Sequence, residues 1–205
     1  MRTRLFVWST VAFALASLPS LVQAHFLLLE PVPTLVQNAL GDPQKLGPCG
    51  GTSANPGVPT ATVSRVKGGA PLHLTIRETI YHPGHYRVAL VVNSPSELPA
   101  NPEASTRETP RGPWSVAAPI QSPAVAPVLA DGLFPHTARP TELLQTDVEI
   151  PNITCKKSTL QVTQFMAEHG VNPDGGFYYH HCANLEITAD PAKPLDTRWP
   201  AQAAQ

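Results

Sequence analysis

Apolar and polar residues alternate along this chain in several short runs. His25 to Glu30 (HFLLLE) is mostly apolar and stops at Pro31 and Pro33, which have no N–H to give a sheet, so it predicts a short strand. Leu72, Leu74 and Ile76 alternate with His73, Thr75 and Arg77. Tyr86, Val88, Leu90 and Val92 alternate with His85, Arg87, Ala89 and Val91. Such alternation puts one set of side chains on each face of a half-buried strand. His82-Pro83-Gly84, between these two runs, reads as a turn. Thr146 to Ile150, Leu160 to Met166 and Phe177 to Ile187 predict further strands, the last preceded by the turn signal Asn172-Pro173-Asp174-Gly175-Gly176. Residues 34 to 60 are rich in Gly, Pro and Asn and read as a long clamped loop, and residues 94 to 140, rich in Pro, Ser, Ala and Thr, as a long surface excursion. There are no heptads and no internal repeat. Short strands separated by turns predict an all-β sandwich with long Pro-rich loops.

The first segment is not expected to join that fold. Met1-Arg2-Thr3-Arg4 is basic, Leu5 to Leu18 is mostly apolar, and Val22-Gln23-Ala24 supplies small residues at the positions a signal peptidase reads. Residues 1–24 are therefore expected to be a signal peptide, too short in its apolar part for a comfortable membrane span. Cleavage after Ala24 would leave residues 25–190 as the working domain, with 191–205 as a flexible tail. The expected location is secreted or periplasmic, and the processed protein is expected to be a monomer away from the membrane.

Composition narrows the partners. The formal net charge is −1, and loss of Arg2 and Arg4 makes the remainder more acidic. That balance gives no footprint for nucleic acid or an anionic membrane. The 24 prolines fit a loop-rich domain. Three cysteines, Cys49, Cys155 and Cys182, lack zinc-finger spacing. In an oxidising compartment they allow one disulfide. Cys155 with Cys182 is the expected pair, because both lie in strand-like segments of the C-terminal half.

The chemistry then centres on histidine. Cleavage after Ala24 would expose the α-amino group of His25, whose ordinary pKa of about 7.7–8.0 lets a metal displace its proton at modest cost. The imidazole of the same residue reaches the same ion. One more imidazole would complete a planar set of nitrogens, which favours Cu(II). His82, in the turn, is the preferred second ligand, with His85 at the start of the following strand as the alternative. His180 and His181 point to opposite faces of their strand. One of them, His181 as a further alternative ligand, or a neighbouring tyrosine could approach the metal axially. His73 reads as exposed, and His136 and His169 receive no role.

Together these residues resemble the lytic polysaccharide monooxygenase superfamily, and most closely the bacterial monooxygenase-like proteins related to fungal copper-acquisition factors. A signal peptide ends just before His25-Phe26, and Pro48-Cys49-Gly50-Gly51 follows. His82-Pro83-Gly84 leads into Tyr86-Arg87-Val88. Cys155, Leu160-Gln161 and Tyr178-Tyr179-His180-His181-Cys182-Ala183-Asn184 close the series. The resemblance spans roughly residues 25 to 190. It implies an immunoglobulin-like β-sandwich carrying one copper ion in a histidine brace of His25 and His82, with Tyr179 as the axial aromatic. Ser158 stands where the family pattern has a cysteine, which implies a missing disulfide and an unpaired Cys49, and Asn184 stands where it has aspartate.

Three functions follow as expectations. The first is a secreted copper-binding protein acting in copper binding or acquisition. The second is an enzyme, a copper-dependent monooxygenase that cleaves polysaccharide oxidatively. The third is a metal-free β-sandwich interaction module. Trp114 and Trp199, the tryptophans outside the leader, lie away from the brace motifs in sequence, which favours binding over polysaccharide cleavage. The chain has no G-x-S-x-G, no H-E-x-x-H and no phosphate-binding glycine loop, so it offers no hydrolase or nucleotide signature.

Overall fold

The inward-facing residues of the predicted strands meet across one apolar cluster. In a computed structural model, which describes residues 25–200, β1 (His25–Glu30), β3 (Pro71–Ile80) and β8 (Leu144–Glu149) form a small antiparallel sheet in the order β1-β3-β8. A larger sheet has the order β2-β10-β9-β4-β7, built from β2 (Val63–Lys67), β4 (Gly84–Val91), β7 (Val128–His136), β9 (Cys155–Met166) and β10 (Tyr178–Thr188). β2 runs parallel to β10, and the other pairings are antiparallel. β5 (Ser105–Thr109) and β6 (Gly112–Ala117) make a separate hairpin. Among the described residues there is no α-helix, only a 3-10 turn at Pro95–Glu97.

The core is the meeting of the two inner faces. Phe26, Leu28, Leu74, Ile76 and Val148 of the small sheet pack with Tyr86, Val88, Leu90, Leu160, Val162, Leu185 and Ile187 of the large one. The alternation seen in the sequence is thus the buried face of a β-sandwich. β2, β5, β6 and β7 were not expected. β2 is an edge strand with Val63 half exposed, β5 is polar throughout, β6 opens on Gly112-Pro113 and buries only Ser115, and β7 is interrupted by Gly132 and Pro135, so none shows a clean apolar period.

Two expectations are corrected. The disulfide joins Cys49 to Cys182, with Cα atoms 4.9 Å apart, and Cys155 is a buried free thiol. Cys155 lies opposite Ile187 in the β9–β10 ladder, whereas Cys182 lies opposite Gln161. That offset of several residues amounts to about 17–20 Å at the ordinary strand rise, well beyond bridging reach. The buried Ser158 donates to the Leu185 carbonyl at 3.0 Å.

The stretch 191–200 is also not a loose tail. The Asn152 amide donates to the carbonyls of Asp190, Lys193 and Pro194 at 3.0–3.1 Å, and Trp199 is buried against the core. The expected signal peptide, residues 1–24, and the tail's last residues, 201–205, lie outside the described residues.

Candidate metal centre

His25 opens β1, where regular alternation would turn its side chain away from the face that buries Phe26. A register shift between His25 and Phe26 in the pairing with β3 relieves that constraint, and both side chains are fully buried. The second histidine reaches the same end of the sandwich because His25 pairs with Ile80, near the end of β3, and His82 lies in the turn just beyond. Gly84 is required in that turn: a Cβ there would run into the Phe165 carbonyl. His82 is 4 % exposed, and its charged form would be repelled by His25.

Each of the two rings has one nitrogen committed and one bare. His25 Nε2 lies 3.0 Å from Asp42 Oδ1. A carboxylate only accepts, so Nε2 carries a proton, and the tautomer this contact favours has its lone pair on Nδ1. That Nδ1 is buried and has no hydrogen-bond partner. The His82 ring donates to the Ala167 carbonyl, and its buried Nε2 has no partner. Burial first, then the neighbouring His169, push the His82 pKa down to about 4, so its ring is neutral near pH 7. Buried polar atoms without partners are uncommon and call for a reason. Two bare imidazole nitrogens at one end of a sandwich are what a metal would take.

Tyr179 also belongs here. It is fully buried, its ring lies edge-on to His25 at 5.2 Å, and its hydroxyl lies near the Asn172 side chain without a well-formed hydrogen bond. Burial, then the Asp42 carboxylate, push the phenol far above its ordinary range, so it stays protonated.

Of the two alternative ligands, His85 sits on the other face of the sheet and His181 lies near His25 with its ring already engaged. His85 is on the outer face of β4, tilted against Phe165 at 5.2 Å, because Tyr86 takes the inward position against Phe26. His181 faces inward, but its Nε2 donates to the Phe26 carbonyl at 3.1 Å. Burial pushes its pKa down to about 4, so it acts as a neutral clamp. His180 points outward, 3.0 Å from Asn101 Oδ1. His73 is exposed and held by Asp147 and Gln145, as expected.

Several residues at the site were missed by the sequence reading. Glu78 continues the inward column of Leu72, Leu74 and Ile76, and Gln164 that of Leu160 and Val162. Their side chains meet across the sandwich: Gln164 Nε2 donates to Glu78 Oε1 at 2.9 Å. The same oxygen accepts the His82 amide at 3.4 Å and lies 3.3 Å from His136 Nε2. Burial lowers the His136 pKa, but the Glu78 carboxylate and the Phe134 carbonyl outweigh it and raise the net value. His169 is likewise brought in, its ring 4.7 Å from that of His82. A polar residue in an apolar column was the available signal for Glu78 and Gln164. His169 had none, because a long loop delivers it.

Trp114 is closer to the site than its place in the sequence suggests. It forms a bridge with Gly170, while the Ser115 amide donates to the His169 carbonyl at 3.0 Å. Among the described residues, no three His, Cys, Asp or Glu side chains converge as a metal-holding group. A brace asks less of the side chains, since one of its nitrogens is a main-chain amine. No family model matches the chain, and no curated protein matches it either.

Proposed function

We propose that this protein binds one copper ion outside the cytoplasm through the α-amino group and Nδ1 of His25 and Nε2 of His82, serving copper binding or acquisition. The observation that carries this reading is the pair of bare, buried ring nitrogens, His25 Nδ1 and His82 Nε2. Only Nδ1 of a terminal histidine closes a small chelate ring with its own amine, and Nδ1 is the atom that Asp42 leaves with a lone pair. Neutral imidazole suits copper well. The carboxylate behind His25 is the kind of outer partner that fixes tautomer and ring orientation at metal sites. The amine becomes available when the chain is cut after Ala24. The disulfide and the absence of any helix long and apolar enough to cross a membrane among the described residues are compatible with that route.

A second reading, copper-dependent oxidative cleavage of polysaccharide in the manner of lytic polysaccharide monooxygenases, is favoured by Trp114. Its backbone bridges to Gly170, next to the His169 whose ring touches His82. The Arg107 guanidinium lies over its ring, 5.5 Å from the centroid, so only the opposite face is left for stacking a sugar ring. Bound copper would supply redox chemistry, while Tyr179 and Gln164 would exclude water around it. Copper titration followed by electron paramagnetic resonance tests the first reading: one Cu(II) per chain with three nitrogen ligands. Oxidised products from chitin or cellulose in the presence of a reductant and oxygen or peroxide would move the balance to the second.

A further inference from the structure

β1 is an unusual strand. β3 covers one of its edges, and side chains cover the other. Gln37 satisfies both main-chain groups of Leu28 at 2.9 Å. At Phe26, directly after His25, the fully buried Gln44 accepts the amide through Oε1 at 3.1 Å, and His181 donates to the carbonyl at 3.1 Å. An uncovered edge group would cost free energy here, because Phe26 is fully buried. The grips on His25 and Phe26 therefore depend on how the segment Gly41–Gly51 is held.

That segment carries Asp42, which holds the His25 ring, and Gln44, which holds the Phe26 amide. Gly41 lets it approach: φ is +105°, and a Cβ would collide with the Phe26 carbonyl. Its far end is tied by the Cys49–Cys182 bridge, and Cys182 follows His181, the other grip on Phe26. Both grips on Phe26 thus come from chain segments joined by one covalent link. The link is approachable from solvent only on the side of Cys49, which is half-buried, since Cys182 is buried.

We infer that the Cys49–Cys182 disulfide is a redox-sensitive strap that governs how tightly the His25 end of the protein holds its metal. The inference rests on the copper reading above for the identity of the metal. The reductant is an external dithiol. Its thiolate attacks Cys49 Sγ, forming a mixed disulfide and releasing Cys182 as a thiolate that takes up a proton. The reductant's second thiolate then attacks its own first sulfur, leaves as a cyclic disulfide and frees Cys49, which is protonated in turn. Two electrons and two protons pass to the protein. Backbone bonds such as Lys45 N–H to the Gly51 carbonyl at 3.0 Å and His180 N–H to the Gln44 carbonyl at 2.7 Å remain. Opening therefore loosens the segment without unfolding the sandwich.

Free thiols take up copper themselves, so the opened state is tested as Cys49→Ser/Cys182→Ser on protein beginning at His25. With a competing chelator, Cu(II) affinity should fall about tenfold or more, in line with the loss of an outer partner of a metal ligand. The same loss should not recur when the double serine change is made on an Asp42→Asn/Gln44→Ala background. A second measurement uses wild-type protein without copper: amide exchange with the bridge oxidised and with it reduced by a dithiol. The Phe26 amide should exchange about tenfold faster or more on reduction, with β9 and β10 still protected. Unchanged affinity, or an unchanged Phe26 rate, overturns the strap. So does loss of protection across β9 and β10. Failure of the oxidised wild-type protein to bind copper would sink the copper reading instead, and the exchange experiment would still judge the strap.

Discussion

Asp42 Oδ1 lies 3.0 Å from His25 Nε2, and this contact keeps a proton on that nitrogen of the first histidine. The carboxylate accepts a hydrogen bond from Nε2–H, so in the neutral ring the lone pair faces away on Nδ1. Asp42→Asn keeps the shape but lets the side-chain amide present N–H to the ring, which favours the other tautomer. Cu(II) affinity should fall about 10- to 100-fold, read by competition against a chelator of known strength. An affinity equal to that of the unaltered protein would show that the contact has no part in binding.

His82 and His85 are close in sequence and separated by the sheet. The former is buried beside His25, the latter packs on the outer face against Phe165. His82→Ala should weaken Cu(II) binding by orders of magnitude, whereas His85→Ala and His73→Ala should leave it near its original value. Isothermal titration of the three variants decides between them, and a large loss confined to His85→Ala would reverse the ligand assignment.

The Cys49–Cys182 bridge closes a loop of 133 residues, so it should stabilise the copper-free fold by about 2–5 kcal/mol. Urea unfolding of the double serine variant should show that loss. Cys155→Ala should keep the bridge and its contribution, because Cys155 is a free thiol in the core.

Acid should destabilise the copper-free protein in a defined window. Burial pushes His180 and His181 down to about 4 from an ordinary 6.5, so between those values the unfolded chain binds more protons than the folded one. Stability therefore rises with pH across that window, is fully present above about pH 6.5 and is lost as pH falls through about 4. Each histidine contributes on the order of 3 kcal/mol at neutral pH. The raised pKa of His136 acts with the opposite sign and offsets part of the loss. Thermal unfolding between pH 7 and pH 4 should show a falling Tm, and a flat profile would contradict the buried, neutral state of these rings.

The parts of the protein that were legible in the sequence are those where one face is apolar. Leu72, Leu74, Ile76 and Tyr86, Val88, Leu90 announce β3 and β4 because burial of one face leaves its period in the chain. β5 and β6 leave no such trace, since β5 is exposed along most of its length and β6 buries only Ser115. At the candidate site, the leader and the turn pointed to His25 and His82, both of which are buried in the structure. Asp42, Gln44 and His169 were not, because long loops deliver them and no local pattern encodes where a loop ends. The disulfide was misassigned for a related reason: Cys155 and Cys182 lie on neighbouring strands, but the ladder register holds them far apart, and register comes from packing rather than from proximity in the chain.

The central claim is that the His25 amine and the two bare ring nitrogens hold one copper ion. The most direct test compares protein beginning at His25 with protein carrying one extra residue before it, each titrated with Cu(II) and read by electron paramagnetic resonance. The account predicts a single tight site with three nitrogen ligands in the first, and loss of that signature with a large fall in affinity in the second, where a peptide nitrogen replaces the amine. The same tight, three-nitrogen signature in both would contradict it.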